Sequence, residues 1–283
     1  MNETERALIL VTNDDGIRSP GIRAAIQCML DLGDIWVVAP RAQQSGLGRS
    51  FPTHHSKEVE AGFMQLGDAQ VHSFAIDASP AQAVRHAVLR LLPRMPDLTI
   101  SGINYGENVG GSVTISGTVG AAIEAASFGV PALAASLETD REYHFSHSEK
   151  VDFGVAAVIV RRFAKHLLDH GMPEGVDILK IDVPSDAQLD TPWRTTRISR
   201  QQYFVNPVII DEQGQKQLSR YAVYIDFDSL EPDSDVHALA VDRVISVTPM
   251  TTDLTAKVNL RHLHDTLAID DSLCGDHPLA GQP

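Results

Sequence analysis

Short apolar runs alternate with helical stretches through the first two thirds of the chain. Residues 8–11, 34–40, 97–101, 131–137 and 176–183 are apolar runs bounded by polar or glycine-containing segments, which is typical of buried strands. Residues 22–30, 80–92, 119–128 and 148–171 predict helices between them. This alternation predicts an α/β protein whose mostly parallel sheet carries helices on both faces.

Beyond Pro184 the pattern predicts longer antiparallel strands, at residues 195–206, 208–211 and 218–226, joined by a turn at 212–215. Residues 57–64 and 69–76 predict a hairpin beside the main sheet, 241–247 a further strand, and 258–267 a short helix before a frayed end. Because a two-stranded arm is marginally stable in water, we expect it to pack on another subunit. We divide the chain into a catalytic core (1–184), an oligomerisation arm with a closing strand (185–255), and a helix with a tail (256–283).

The composition is that of an ordinary globular protein with a strong acidic excess. The 283 residues are 43% hydrophobic and 21% charged, with a formal net charge of −14. This balance argues against nucleic-acid binding, because a phosphate backbone favours clustered lysine and arginine. The sequence shows no bilayer-length apolar stretch, no signal-like N-terminus and no metal-binding spacing of its two cysteines. We expect a cytoplasmic protein with no membrane partner.

The first strand ends in two adjacent carboxylates, Asp14 and Asp15, followed by Gly16. Neighbouring carboxylates repel each other unless a cation lies between them, and oxygen ligands suit Mg²⁺, Mn²⁺ or Ca²⁺. The same residues also suit a plain turn in which an aspartate caps a helix. On this segment alone both interpretations stay open.

Two further polar loops should lie at the same edge of the sheet, at residues 41–48 and 101–111, the latter continuing to Ser116-Gly117-Thr118. Residues 101–118 contain no lysine or arginine but many glycine, asparagine, serine and threonine residues. Such a loop offers backbone N–H groups and a helix N-terminus to an anion. In an acidic protein, an anionic substrate needs a local attraction of this kind or a metal ion.

Taken together, these motifs resemble the SurE family of survival-protein phosphatases. The similarity is carried by residues 11–16 (Val-Thr-Asn-Asp-Asp-Gly), 20–22 (Pro-Gly-Ile), 39–46, 101–110 and 116–119 (Ser-Gly-Thr-Val), and it continues at 128–134 and 247–255. It therefore spans residues 8 to about 255, in order.

The resemblance implies a Rossmann-like doubly wound domain with a C-terminal antiparallel hairpin arm exchanged between subunits, in a homodimer or homotetramer. It implies a metal-dependent nucleotidase for nucleoside 5′- and 3′-monophosphates, and in some members short polyphosphate. It places one divalent ion per subunit, Mg²⁺, Mn²⁺ or Ca²⁺, on Asp14, Asp15, Ser45 and Asn104, and the phosphate near Asn108, Ser116, Gly117 and Thr118. Asp14 and Asp15 are then the catalytic residues, and we favour Asp14 as the acceptor of the proton of an attacking water.

Three segments depart from the family's pattern. Ile115 stands where the family generally has tyrosine, Lys180-Ile181-Asp182 replaces Asn-Val-Asn, and residues 233–238 follow a Gly-Thr-Asp stretch only loosely. These differences leave the substrate preference and the packing of the arm open, whereas the implied metal ligands are all present.

Other interpretations compete at several points. One alternative is a non-catalytic module that binds a nucleotide or phosphate, but such a module would have little use for two repelling carboxylates. Another is a metal-dependent hydrolase of a different bond, such as an amide, but the neutral loop suits a phosphate better. Tyr105 could stack on a nucleobase or pin its loop. His54 and His55 could supply a general acid, although solvation is favoured. We interpret the acidic run at 226–235 as a charged, solvated turn, because it lacks calcium-loop spacing.

Overall fold

The computed structural model describes residues 6–53 and 58–267. The strands, in chain order, are β1 (Ala7–Thr12), β2 (Gly33–Pro40), β3 (Val59–Leu66), β4 (Ala69–Ile76), β5 (Leu98–Tyr105), β6 (Ala132–Leu137), β7 (Ile178–Val183), β8 (Trp193–Thr195), β9 (Phe204–Val205), β10 (Val208–Ile210), β11 (Lys216–Leu218), β12 (Ala222–Val223) and β13 (Ile245–Met250). The α-helices are α1 (Pro20–Met29), α2 (Pro80–His86), α3 (Gly117–Ser127), α4 (Gly154–His170), α5 (Asp235–Ala240) and α6 (Leu260–Leu267).

The central sheet has the strand order β3-β4-β2-β1-β5-β6-β7-β13-β8. Strands β4, β2, β1, β5, β6 and β7 are parallel, whereas β3 is antiparallel to β4 and β13 to β7. The chain passes from β1 to β2 on one side and returns to β5 on the other. The carboxyl ends of β1 and β5 therefore form the switch point where open α/β sheets bind ligands. The predicted α/β class is confirmed.

Helices cover both faces of this sheet, as β1 illustrates. Ile9 and Val11 join the apolar core beneath α1 and α4, whereas Leu10 points to the other face and packs with residues of α2 and α3. This alternation follows from the two-residue period of a strand that is buried on both faces. The strands and helices predicted for the first two thirds of the chain are confirmed, although α4 begins only at Gly154.

The C-terminal region is less regular than predicted. The prediction of one long strand at residues 195–206 is wrong, because only β9 and the end of β8 lie in it. The backbone between these strands is held by side chains instead; Ser199 N–H, for example, donates to Asp235. The interpretation of the acidic run as a solvated turn is also wrong at its end, since Asp235 is fully buried and begins the unpredicted helix α5.

The chain separates into one compact unit that ends at Thr252 and a second unit from Asp253 onward, which contains α6. The expected frayed end, and His54 and His55, lie outside the described residues. Within residues 6–53 and 58–267, no helix combines the length and the apolar character that a membrane span requires.

Candidate active site

The turn after β1 places Asp14 and Asp15 at the switch point. Gly16 adopts a φ of 98°, a conformation that favours glycine. The side chain of Asn13 closes the turn, because its amide donates to the carbonyl of Gly16 at 3.0 Å and to Ser19 Oγ at 2.9 Å. Ser19 also caps α1. The first loop is thus a rigid connection in which both carboxylates are buried.

The second polar loop, residues 41–48, is hydrogen-bonded to the loop that follows β1. Gln44 N–H donates to the carbonyl of Asp14 at 2.7 Å. The amide of Gln43 donates to Asp15 Oδ1 at 3.2 Å and to Ser45 Oγ at 3.0 Å. Gln43 therefore connects two residues that the family resemblance places on one metal ion.

The start of α3 lies directly against Asp14. Thr118 Oγ1 donates to Asp14 Oδ1 at 2.5 Å, and backbone N–H groups of Gly117 and Thr118 also bond this carboxylate. A methyl group built on Gly117 would lie 2.8 Å from Asp14 Oδ2, so only glycine allows this approach. Ser116 caps the helix by accepting from Val119 N–H. The partial positive charge of a helix N-terminus thus faces a carboxylate.

A cleft of about 310 Å³ opens in front of these elements. Of the residues predicted to form the site, five line it: Asp14, Ser45, Asn104, Asn108 and Ser116. Asp15, Gly117 and Thr118 lie behind this wall. Both carboxylate oxygens of Asp15 accept protein donors, from the side chain of Gln43 and from Tyr105 N–H at 3.2 Å.

Two asparagines are oriented by their neighbours. The amide nitrogen of Asn104 donates to the carbonyls of Gly106 and Tyr105, which leaves its oxygen for a ligand in the cleft. The amide of Asn108 donates to Ser136 Oγ at 2.8 Å and retains a second N–H. Asn104 therefore offers an acceptor and Asn108 a donor, as a cation and an anion respectively require.

The paired carboxylates lack a counter-charge. Burial raises the pKa of Asp14, and the hydrogen bonds from Thr118 and the start of α3 only partly oppose this effect. Burial and repulsion from Asp14 raise the pKa of Asp15 well above its ordinary value. In the described part of the chain, neither lysine nor arginine lines the cleft. A cation would remove this repulsion.

The donor set fits a hard divalent ion. Residues 6–53 and 58–267 contain no group of three or more histidine, cysteine, aspartate or glutamate side chains placed to hold a metal. The oxygens of Asp14, Ser45 and Asn104 nevertheless face one cleft, with Asp15 directly behind. Carboxylate, hydroxyl and amide oxygens are the ligands that Mg²⁺, Mn²⁺ and Ca²⁺ prefer.

The opposite wall of the cleft is aromatic, and sequence reasoning missed it. Phe204 and Tyr221, from the region predicted as an oligomerisation arm, lie edge to face with ring centroids 5.4 Å apart. Phe145 lies at the entrance with a ring centroid 6.2 Å from that of Tyr221. Asn206 and Ile115 complete this side. The wall suits the apolar faces of a sugar and a base.

Histidine 144 joins the aromatic wall to the loops. Its Nε2 donates to the carbonyl of Thr139 at 3.1 Å, and Tyr221 hydroxyl donates to its Nδ1 at 2.7 Å. Burial lowers the pKa of His144, consistent with this neutral tautomer. Its own carbonyl accepts from Gln43 at 2.6 Å. His144 therefore couples the aromatic wall to the second loop.

Two residues of the third polar loop, residues 101–111, have buried side chains. The hydroxyl of Tyr105 donates to the carbonyl of Ser148, and its ring lies edge-on to Phe153, so Tyr105 pins its loop rather than offering a stacking face. Glu107 is buried beside Tyr203, and burial raises the pKa of Glu107 to about 7. No local signal marks a glutamate in a glycine-rich loop as buried.

Comparisons with known proteins find relatives that match most of the chain. A family model described as "Survival protein SurE" matches residues 9–205. A "5′-nucleotidase SurE" of Thermococcus gammatolerans is 41% identical over 262 residues, which cover 92% of this chain and 95% of that protein. The 5′-nucleotidase SurE of Methanosarcina acetivorans is 36% identical over 267 residues, covering 92% and 97%. The crystal structure of the SurE protein from Aquifex aeolicus superposes with a TM-score of 0.72 at 28% identity, covering 91% of this chain and 97% of that one.

Proposed function

Because the chain belongs to the SurE family, we propose that it is a phosphomonoesterase that hydrolyses nucleoside 5′-monophosphates with the help of a divalent metal ion. The relatives named as 5′-nucleotidases support the reaction class. The observation that carries the metal dependence is the buried pair Asp14 and Asp15, whose charges have no cation in the cleft lining. Nucleoside 3′-monophosphates and short polyphosphate are further candidate substrates.

Asp14, Asp15, Ser45 and Asn104 would hold the ion. When bound, the ion would neutralise charge on the phosphoryl oxygens and lower the pKa of a water molecule. The protein's own groups then have separate tasks. Thr118 fixes the carboxylate of Asp14 through its Oδ1, and Asp14 accepts the proton of the attacking water. Ser116 hydroxyl and the remaining N–H of Asn108 bind and orient the phosphate from the uncharged wall.

The nucleoside would lie along the aromatic wall. Phe145, Phe204 and Tyr221 offer ring faces and edges, which bind any base through stacking without reading its hydrogen-bond pattern. This wall supports a substrate larger than phosphate and a broad preference among bases. A non-catalytic binding module would use the same wall, but the buried carboxylate pair disfavours that alternative.

Assembly is part of the proposal. The hairpin β10–β11 exposes Val208, Ile209, Ile210 and Leu218, and a two-stranded hairpin is marginally stable by itself. We propose that it packs against another copy of the chain in a homodimer or homotetramer. Sedimentation analysis of the protein with charged residues in place of Ile209 and Leu218 tests this; an unchanged mass would contradict it.

The central test is phosphate release after chelation, with and without added Mg²⁺ or Mn²⁺, from 5′- and 3′-monophosphates and from tripolyphosphate. We expect release only with metal, and none from Asp14→Ala or Asp15→Ala. Asp169→Ala is the matched control, because this exposed aspartate only pairs with Lys165 on α4. Folded protein that binds nucleotide and metal without releasing phosphate would favour the binding module.

A further inference from the structure

A buried ion cluster lies behind the cleft. Lys180 on β7 is fully buried and bonds to Asp182 on the same strand and, at 3.1 Å, to Asp235 at the start of α5. Burial alone would lower the pKa of Lys180, but the two carboxylates raise it above the ordinary value. Lysine is seldom fully buried unless it is paired. The cluster is therefore a cation held between two carboxylates.

The two carboxylates reach the cleft through backbone groups. Asp182 Oδ1 accepts from Asn108 N–H at 2.7 Å. Asp235 accepts from Gly110 N–H at 3.2 Å through Oδ2 and from Ser199 N–H at 2.9 Å through Oδ1. Hydrogen bonds to ionised acceptors are stronger than those between neutral groups. Lys180 makes these acceptors possible, because two carboxylates without a cation would not both stay ionised in the interior.

These bonds end on both walls of the cleft. Asn108 and Gly110 belong to the loop that supplies the phosphate side, whereas Ser199 begins the segment that leads to Phe204 and Asn206 on the aromatic side. The two segments also touch directly, since Gly111 N–H donates to the carbonyl of Gln201 at 2.7 Å. A single cluster thus anchors the phosphate wall and the nucleoside wall.

We infer that Lys180, Asp182 and Asp235 are positioning residues that fix the distance between the phosphate-binding loop and the aromatic wall. The expected consequence of this positioning, a lower KM for nucleotide, rests on the proposed function. The positioning of the loop by the cluster does not. Among the described residues, the hydrogen bonds of the cluster go to Asn108, Gly110 and Ser199 rather than to Asp14 or Asp15, so its direct effect is on substrate placement.

The variant Asp182→Ala removes the acceptor of Asn108 N–H. We expect it to fold, because Lys180 keeps Asp235 as its counter-ion. KM for a nucleoside monophosphate should rise about tenfold, because this is the loss of affinity expected when one hydrogen bond to a charged acceptor is removed. The value of kcat should change little, because Asn108 binds substrate and transition state alike. Asp182→Asn retains an oxygen acceptor and should restore most of the wild-type KM. Asp177→Ala is the control, because Asp177 precedes the same strand and its carboxylate accepts hydrogen bonds from Thr251 and Thr252, away from the phosphate-binding loop.

Hydrogen exchange separates this inference from the proposed function. In Asp182→Ala, peptides that cover residues 106–111 should exchange faster than in the wild type and in Asp182→Asn, whether or not the protein turns over nucleotide. If Asp182→Ala does not fold, Asp235→Asn tests the same point through Gly110 and Ser199 while Lys180 keeps Asp182. Unchanged exchange in this loop, or an unchanged KM in an active folded variant, would show that the cluster only stabilises the fold and would overturn the inference. Absence of nucleotide turnover in the wild type would instead reject the proposed function.

Discussion

A methyl group at Gly117 would test whether activity depends on the close approach of α3 to Asp14. A Cβ built at this position lies 2.7 Å from Asp14 Cβ and 2.8 Å from Oδ2. Carbon atoms in contact prefer a separation of about 3.5 Å or more, so Gly117→Ala must displace the carboxylate or the helix start by roughly 0.8 Å. This displacement also disturbs the 2.5 Å bond from Thr118.

The expected outcome is a loss of activity without a matching loss of stability. Gly117 is the first residue of α3 and has no positive φ, so alanine suits its backbone. Alanine is favoured over glycine inside helices by about 1 kcal/mol, which offsets part of the steric cost. A misplacement of about 1 Å at a reacting group can reduce the rate on the order of a hundredfold. We therefore expect a similar fall in kcat/KM.

The assay combines metal-dependent phosphate release with urea unfolding. Gly62→Ala is the matched control, because no atom lies within 4 Å of a Cβ at Gly62 and its φ is not positive. It should keep full activity. Activity of Gly117→Ala equal to that of the parent protein would refute the reasoning, since the carboxylate would then tolerate displacement.

Three further predictions concern the described residues around the cleft. Burial raises the pKa of Glu107 from an ordinary 4.5 to about 7, so folding favours its protonated form. The contribution of Glu107 to stability should therefore fall as the pH rises from 4.5 to 7, by about 3.5 kcal/mol at about 1.4 kcal/mol per pH unit. Glu107→Gln should melt higher than the wild type at pH 8 but not at pH 4, and equal melting at pH 8 would contradict this. Lys180→Met leaves two buried carboxylates unpaired and should lower the free energy of unfolding by about 3–5 kcal/mol at pH 7. Urea titration checks this, and no loss of stability would count against it. Phe145→Ala should raise KM for nucleoside monophosphates about tenfold and leave KM for ribose 5-phosphate unchanged, because only the base stacks on this ring. Phosphate-release assays with both substrates check this, and an equal effect on both would argue against base stacking.

The meeting of Asp14, Asn104 and Ser116 at one side of the cleft could be predicted because its signals are local. Asp14 follows an apolar strand, and Asn104 lies at the end of another. In a parallel sheet the carboxyl ends of adjacent strands must meet. Ser116 begins a helix whose cap is recognisable from its residue type. Each inference needed only a short window of sequence and the geometry of one sheet edge.

The aromatic wall and the buried cluster could not be predicted in this way. Phe204 reaches the cleft because Ser199 bonds to Asp235 and Gln201 to Gly111. Such side-chain and single backbone bonds join residues far apart in sequence and impose no periodicity. Asp235 looks solvated among acidic neighbours. Its burial depends on Lys180, which lies on another element.

The described residues place no lysine or arginine in the cleft lining, and this affects how ionic strength acts on substrate capture. The chain carries a net charge of −14, and within its described residues no lysine or arginine lines the cleft. Under the proposed function, a nucleotide dianion approaches a surface of its own sign. Added salt weakens this repulsion, because the screening length falls from about 30 Å at 0.01 M to about 8 Å at 0.15 M. Once the phosphate is bound by N–H and hydroxyl donors, salt has little effect on its binding, because these donors carry no net charge. Salt should thus speed encounter here, opposite to proteins that capture anions with basic patches.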